Sequence, residues 1–358
     1  MGIISEELAK RKLPSVLRFS DGSPVTSDNW EKRREELLDI LSREEYGNAP
    51  PPPERVETET VKCEEHQYAG KAYVKSLRLS FDTDKGRFSF PVTEIVPTGK
   101  KKCPTFVTLN FRADVPDKYL PVEEILDYGC AILRVYYNDV AFDGEDNFKG
   151  GIAAMYDRAE YNWGKLRMWA WAASRVMDYL QNADYPDLSR VAIAGHSRLG
   201  KTALICAAFD KRFAIACAND SGCSGDAITR DKKGEHVKDI FKSFPYWFCD
   251  KYGTYADNEA SMPFDQHFLL SAIAPRKVAL GAALEDEWAD PDSQYLSACA
   301  ASEVWEMICG KGLVHPDRLP VPGDCFASGN IKYHLRRGRH FLSREDWQHY
   351  CTYMLDLR

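Results

Sequence analysis

A serine hydroxyl becomes a useful nucleophile at neutral pH when a histidine can take its proton and a carboxylate can orient that histidine. The segment Arg190-Val-Ala-Ile-Ala-Gly-His-Ser-Arg-Leu-Gly-Lys-Thr-Ala-Leu204 offers the first of these groups. It reads as a short apolar strand, a tight turn around Ser197, then a helix. A serine on such a turn stands proud of a sheet. The amides opening the next helix point at the same spot and can stabilise an anion there. The match to a G-x-S-x-G elbow is incomplete: Gly195 is in place, but Leu199 stands where the second glycine belongs, and the next glycine is Gly200. Read alone, the segment also fits an ordinary junction with a helix-capping serine. Its partners downstream decide between the two.

Hydrolases with this elbow keep the chain order serine, acid, histidine. Of eight histidines, His315, His334, His340 and His349 follow every plausible acid. His334 lies inside a strand pattern, His349 inside the final helix, and His315 in a Val-His-Pro-Asp loop. His340 falls in the short loop before a helix that starts at Ser343, where Asp346 completes a capping-box spacing. His340 is the expected base; otherwise it is a surface loop histidine. Two acids compete. Asp286 follows the strand pattern 277–283, where an α/β hydrolase normally keeps its acid, and is favoured. Asp220 follows the strand after the elbow. Both loops can open beside His340, and the loser would be a buried, hydrogen-bonded carboxylate. Glu285, Glu287 and Asp290 read as solvated or capping charges. Backbone amides, chiefly that of Arg198, and the Arg198 guanidinium are expected to hold the oxyanion. Lys201 lies one helical turn on, either as an exposed helix lysine or as part of a small cationic spot.

These groups need a scaffold, and the pattern of the chain provides one. Segments 56–63, 71–81 and 87–96 alternate and read as antiparallel strands. After Pro104 the runs 105–110, 130–136, 191–194, 213–218, 277–283 and 331–335 are apolar and separated by helical stretches. One of these, 163–180, places Leu166, Trp169, Ala173, Val176, Met177 and Leu180 at helical spacing. Strand and helix in alternation predict an α/β hydrolase fold: a mostly parallel sheet with an antiparallel N-terminal edge and helices on both faces. Residues 1–55 read as a helical arm and Pro-rich linker, with Trp30, Leu37, Leu38 and Leu41 on one helical face. Residues 56–358 read as the hydrolase domain, and 224–270 as an insertion over the active-site end of the sheet.

Bulk properties narrow the class. The chain has 358 residues, 44% apolar and 28% charged, with a net charge of −7. That balance argues against nucleic acid or an anionic membrane as the main partner. No run is long and apolar enough for a transmembrane helix. The N-terminus lacks the pattern of a signal peptide, so a cytoplasmic location is expected, or a secreted one if a leader has been removed. Eleven cysteines without C-x-x-C pairs fit free thiols better than disulfides or a zinc site. No cofactor or metal is expected.

Gly-His-Ser-Arg-Leu-Gly-Lys, then Asn219-Asp-Ser-Gly-Cys-Ser-Gly225, Phe264-Asp-Gln-His-Phe-Leu-Leu-Ser-Ala-Ile-Ala-Pro-Arg276 and Glu285-Asp-Glu-Trp-Ala-Asp-Pro291 together resemble the glucuronoyl esterases, a family of carbohydrate esterases. Bacterial relatives are often labelled acetyl xylan esterases. The resemblance covers about residues 100–355. It implies Ser197 as nucleophile, Arg198 at the oxyanion, His340 as base, and Lys201, Glu235 and Trp288 around the sugar. Many members carry glutamate where this chain has Asp220, one methylene shorter, which weighs toward Asp286. The implied function is a serine esterase acting on a small glucuronate ester, such as a 4-O-methylglucuronoyl ester. A sugar deacetylase, and an inactive carbohydrate-binding protein on a hydrolase fold, are the alternatives. Oligomeric state is not legible.

Overall fold

A computed structural model describes residues 2–356. Ten strands form one sheet: β1 (Glu57–Gln67), β2 (Ala72–Thr83), β3 (Gly86–Pro97), β4 (Cys103–Asn110), β5 (Ala131–Tyr136), β6 (Pro186–His196), β7 (Ile215–Asn219), β8 (Lys277–Ala283), β9 (Cys325–Phe326) and β10 (Ile331–Arg336). Their spatial order is β1-β2-β3-β5-β4-β6-β7-β8-β10-β9. The block β5-β4-β6-β7-β8-β10 is parallel throughout, whereas β1, β2 and β3 pair antiparallel at one edge and β9 at the other. This is the mostly parallel sheet with an antiparallel N-terminal edge of an α/β hydrolase. The two-residue strand β9 was too short to leave an alternating pattern in the sequence.

The helices are α1 (Ile3–Arg11), α2 (Trp30–Leu41), α3 (Val122–Asp127), α4 (Tyr137–Val140), α5 (Arg158–Tyr161), α6 (Lys165–Leu180), α7 (Arg198–Phe209), α8 (Val237–Ser243), α9 (His267–Ser271), α10 (Pro291–Cys309) and α11 (Arg344–Leu355). Parallel strands are covered on both faces, so neighbouring residues feed different cores. Val107, Leu133, Val191 and Ile193 join one apolar cluster with Leu166, Trp169 and Leu204 of α6 and α7. Phe106, Ile132, Ala192 and Ala194 join the other, with Ile125 of α3 and Trp347 and Tyr350 of α11.

The first 55 residues share the larger core. Ile4, Val16, Trp30, Leu37, Leu41 and Tyr46 are buried in it, while Leu38 lies at its margin. A helix with one apolar stripe gains by laying that stripe on existing apolar surface. The segment 224–270 holds α8, part of α9 and three short 3₁₀ turns, and buries Val237, Ile240, Trp247, Phe248 and Tyr252. Among the described residues no helix is long and apolar enough to cross a membrane.

Candidate active site

Ser197 lies at the junction of β6 and α7 with φ 57° and ψ −126°. For a residue with a Cβ that conformation costs about 1–3 kcal/mol, and the surroundings must enforce it. They do so through the backbone. The Ser197 amide donates to Asn219 O of β7 at 2.9 Å, and the Lys201 amide to Ser197 O at 3.0 Å. Gly195 is required by close approach, since a Cβ there would lie 2.0 Å from Leu199 O. Leu199 itself is fully buried in the larger core. This turn therefore uses a packed leucine where the common elbow has its second glycine.

His340 lies in the loop between β10 and α11, and its side chain is 44% exposed. Its Nδ1 meets Asp286 Oδ2 at 2.6 Å. With Nδ1–H donated to the buried carboxylate, Nε2 is the ring's remaining acceptor. Ser343 and Asp346 close a capping box at the start of α11, which fixes the far end of the loop. His196, next to the serine, packs against the same ring with centroids 4.5 Å apart. Its Nδ1–H donates to Asn219 Oδ1 at 2.6 Å. Burial, and next the charge of His340, push the His196 pKa down to about 3, so it stays a neutral wall.

Of the two competing acids, Asp286 hydrogen-bonds the imidazole and Asp220 does not. Asp220 Oδ1 accepts from the Ala283 amide at 2.9 Å, and Oδ2 from Arg336 at 3.3 Å and the Phe341 amide at 3.4 Å. Burial, then the charge of Asp286, raise its pKa well above the usual carboxylate range, with Arg336 opposing. Arg336 also binds Asp346 Oδ2 at 2.8 Å and the carbonyls of Arg337, Arg339 and Phe341. It thereby holds the whole loop that carries His340. His334, in β10, is buried against Asp346 at 2.8 Å and has no access to the serine's cleft.

Asp220, Asp286 and His340 offer donor atoms within 4.8 Å of one another, a spacing a metal ion would accept. Most of these atoms are engaged already, and the free Nε2 is the atom the base requires. Nδ1 and Asp286 Oδ2 bond each other, and both Asp220 oxygens accept from protein donors. The donor set thus fits a base and its supports better than an ion cage.

Ser197, Arg198, Lys201, Asp220, Glu235, Asp286, Trp288 and His340 all line one cleft of about 370 Å³. Lys201 is buried, not an exposed helix lysine, and its Nζ donates to Ser221 O. Burial lowers its pKa, with Glu235 the strongest opposing charge. Glu235 is brought in by a loop pinned to Trp288: its amide donates to Trp288 O at 2.9 Å. Gly234 makes that approach possible, with φ +69° and room for no Cβ, which would lie 2.4 Å from Trp288 O. Trp288 is 57% exposed, an aromatic face open to the cleft. Buried Asp290 caps α10, accepting from the Ser293 amide.

Phe244 and Trp247, from the segment 224–270, also line the cleft, and sequence reasoning missed both. Their rings stack at 4.0 Å, and the Arg198 guanidinium lies 5.3 and 4.8 Å from them. Also missed were His196, Arg336 and Asp143. His196 sits inside the elbow but outside its catalytic positions, Arg336 at a strand end, and Asp143 in a loop without a motif.

With this geometry in view, similarity to known proteins is informative. A family model described as "Glucuronyl esterase, fungi" matches residues 80–309. A carbohydrate esterase from an unknown prokaryotic organism is 32% identical, across 97% of this chain and 90% of that protein. A 4-O-methyl-glucuronoyl methylesterase of Phanerochaete carnosa is 29% identical, across 83% of this chain and 72% of its own. Among solved structures, a glucuronoyl esterase from Solibacter usitatus superimposes with a TM-score of 0.89 at 32% identity, covering 96% of this chain and 97% of that one.

Proposed function

From the premise that the chain belongs to the glucuronoyl esterase family, we propose that its cleft hydrolyses small esters of glucuronic acid, 4-O-methylglucuronoyl esters among them. The protein is a carboxylic ester hydrolase. Ser197 Oγ attacks the ester carbonyl carbon while His340 Nε2 takes its proton, and Asp286 holds the ring in the required tautomer. The carbonyl oxygen becomes an anion facing the amides that open α7 and the Arg198 guanidinium. The intermediate collapses, the C–O bond to the alcohol breaks, and the alcohol leaves with the proton from His340. Water, deprotonated by the same Nε2, then attacks the acyl-serine and releases free glucuronate.

In this reading the sugar is the acyl part, so it remains on the enzyme after the alcohol leaves. Lys201, Glu235 and Trp288 supply what a uronate ring requires: hydrogen bonds to hydroxyls and an apolar face. All eleven cysteines are free, which supports a reducing, cytoplasmic setting. The observation that carries the proposal is the 2.6 Å His340–Asp286 pair, in one cleft with a strained serine elbow.

Kinetics on two substrate types test it. Alcohol release from a methyl glucuronate ester should exceed acetate release from acetylated xylo-oligosaccharides, and Ser197→Ala should abolish the former. A reversed preference would make the protein a deacetylase. Unchanged hydrolysis in Ser197→Ala would remove the serine from the chemistry.

A further inference from the structure

Arg198 is a long side chain asked to hold a fixed position beside a developing charge. A free arginine carries about 2 kcal/mol of rotamer entropy, so a catalytic one must be held in place beforehand. The protein does this from a loop that carries none of the hydrolase motifs. Asp143, a half-buried residue in the loop after α4 whose side chain is only 4% exposed, accepts from Arg198 Nη1 through Oδ2. The same carboxylate takes the Tyr137 hydroxyl on Oδ2 at 3.0 Å and the Trp247 indole N–H on Oδ1 at 2.7 Å. Its own amide donates to Asn138 Oδ1 at 2.7 Å. The side chain has no freedom left.

The loop is held in turn. Lys165, at the start of α6, has a side chain with no exposure at all. Its Nζ donates to Phe142 O at 2.6 Å, Gly144 O at 2.5 Å and Asp146 Oδ1 at 2.7 Å. The first two carbonyls flank Asp143. All three ammonium donors are therefore spent on the segment that presents this one carboxylate. Meanwhile the Arg198 Nε–H is buried without an acceptor among the described residues, a donor left over in a side chain that lines the cleft.

We propose that Asp143 is a positioning residue of the esterase reaction. Clamped by Lys165 and gripped by Trp247 and Tyr137, it fixes one side of the Arg198 guanidinium so that the remaining N–H groups meet the oxyanion. The inference rests on the esterase reading above and adds to it the group that makes Arg198 effective. A carboxylate there for stability alone would also be buried and paired, so the test must read function through Arg198.

The measurement is a double-mutant cycle on hydrolysis of a methyl glucuronate ester. Asp143→Asn should lower kcat roughly 10- to 100-fold with KM little changed. In an Arg198→Met background the same substitution should change kcat little, because the group it positions is gone. Trp247→Phe and Tyr137→Phe each remove one donor to Asp143 while keeping a ring, and each should lower kcat less than Asp143→Asn. Equal fold losses from Asp143→Asn in both backgrounds, or a wild-type kcat in Asp143→Asn, would overturn the inference. Ser197→Ala, run in parallel, separates the two failures. If it is inactive while Asp143→Asn keeps its kcat, only the positioning role falls; if it is active, the esterase reading falls first.

Discussion

Arg336 and Lys165 brace two walls of the cleft by one device. Each is a buried cation whose donors hold the backbone carbonyls of a loop. Arg336 takes those of Arg337, Arg339 and Phe341, around His340; Lys165 takes those of Phe142 and Gly144, around Asp143. The surroundings differ. Arg336 is embedded among carboxylates, Asp220 and Asp346, and the network continues to His334. Arg198, the cation on the other wall, lies among the rings of Phe111, Phe244 and Trp247, with Asp143 its single acidic partner among the described residues. In our account the first wall moves a proton, so its histidine changes charge during each turnover and needs a fixed carboxylate next to it. The second wall holds a permanent charge and requires mainly that this charge not move. Carboxylates suit the former task, aromatic faces and one anchored acid the latter.

The comparison can be broken at the acids. Asp286→Asn should lower kcat on the methyl glucuronate ester by about 10³- to 10⁴-fold, because an amide facing Nδ1 no longer selects the required tautomer. Asp220→Asn should leave kcat within about tenfold, as Asp220 makes no hydrogen bond to the ring and supports its loop only through Arg336 and the Phe341 amide. Its larger effect belongs to stability, through the Arg336 clamp. Steady-state kinetics and thermal melts on both variants decide this. An Asp220→Asn loss equal to that of Asp286→Asn would place both carboxylates on the histidine.

A smaller effect sharpens the contrast by pH. His196, behind the proton wall, has its pKa lowered to about 3 by burial, against about 6.5 in an unfolded chain. The folded form stays neutral while the unfolded chain binds a proton between those values. Its contribution is therefore complete above about pH 6.5 and is lost as pH falls toward 3, by up to about 1.4 kcal/mol per unit. Asp346, which burial would raise, is lowered to about 2 by its bond to His334 and by the Arg336 charge; it stabilises above its ordinary pKa and loses this below it. Melts from pH 7 to 4 should show a stability slope that His196→Asn flattens; an unchanged slope would detach His196 from it.

These differences also explain what the sequence could and could not disclose. The elbow was legible because strand, turn and helix are local, and His340 because chain order and a capping box bracket it. The two acids stayed ambiguous for a topological reason: β7 and β8 are parallel neighbours beside β10, so the loops after both open toward the loop after β10. Asp143 was invisible for the same kind of reason. It follows β5, separated from β6 by β4, and no residue spacing reports that adjacency. Lys165 and Arg336 read as an ordinary helix start and strand end, since nothing local says that a cation is turned inward. Tyr46, a few residues before the prolines 50–53 of the expected linker, is fully buried, with its hydroxyl donating to Ser224 O at 3.1 Å.

The central claim is that His340 activates Ser197 for attack, and covalent trapping tests it most directly. A phosphonate ester probe should add one mass equivalent to the wild-type protein, on the peptide that contains Ser197, and label His340→Ala more slowly by at least about 10³-fold. Labelling of another residue in an active preparation, or equal rates with and without the imidazole, would contradict the account.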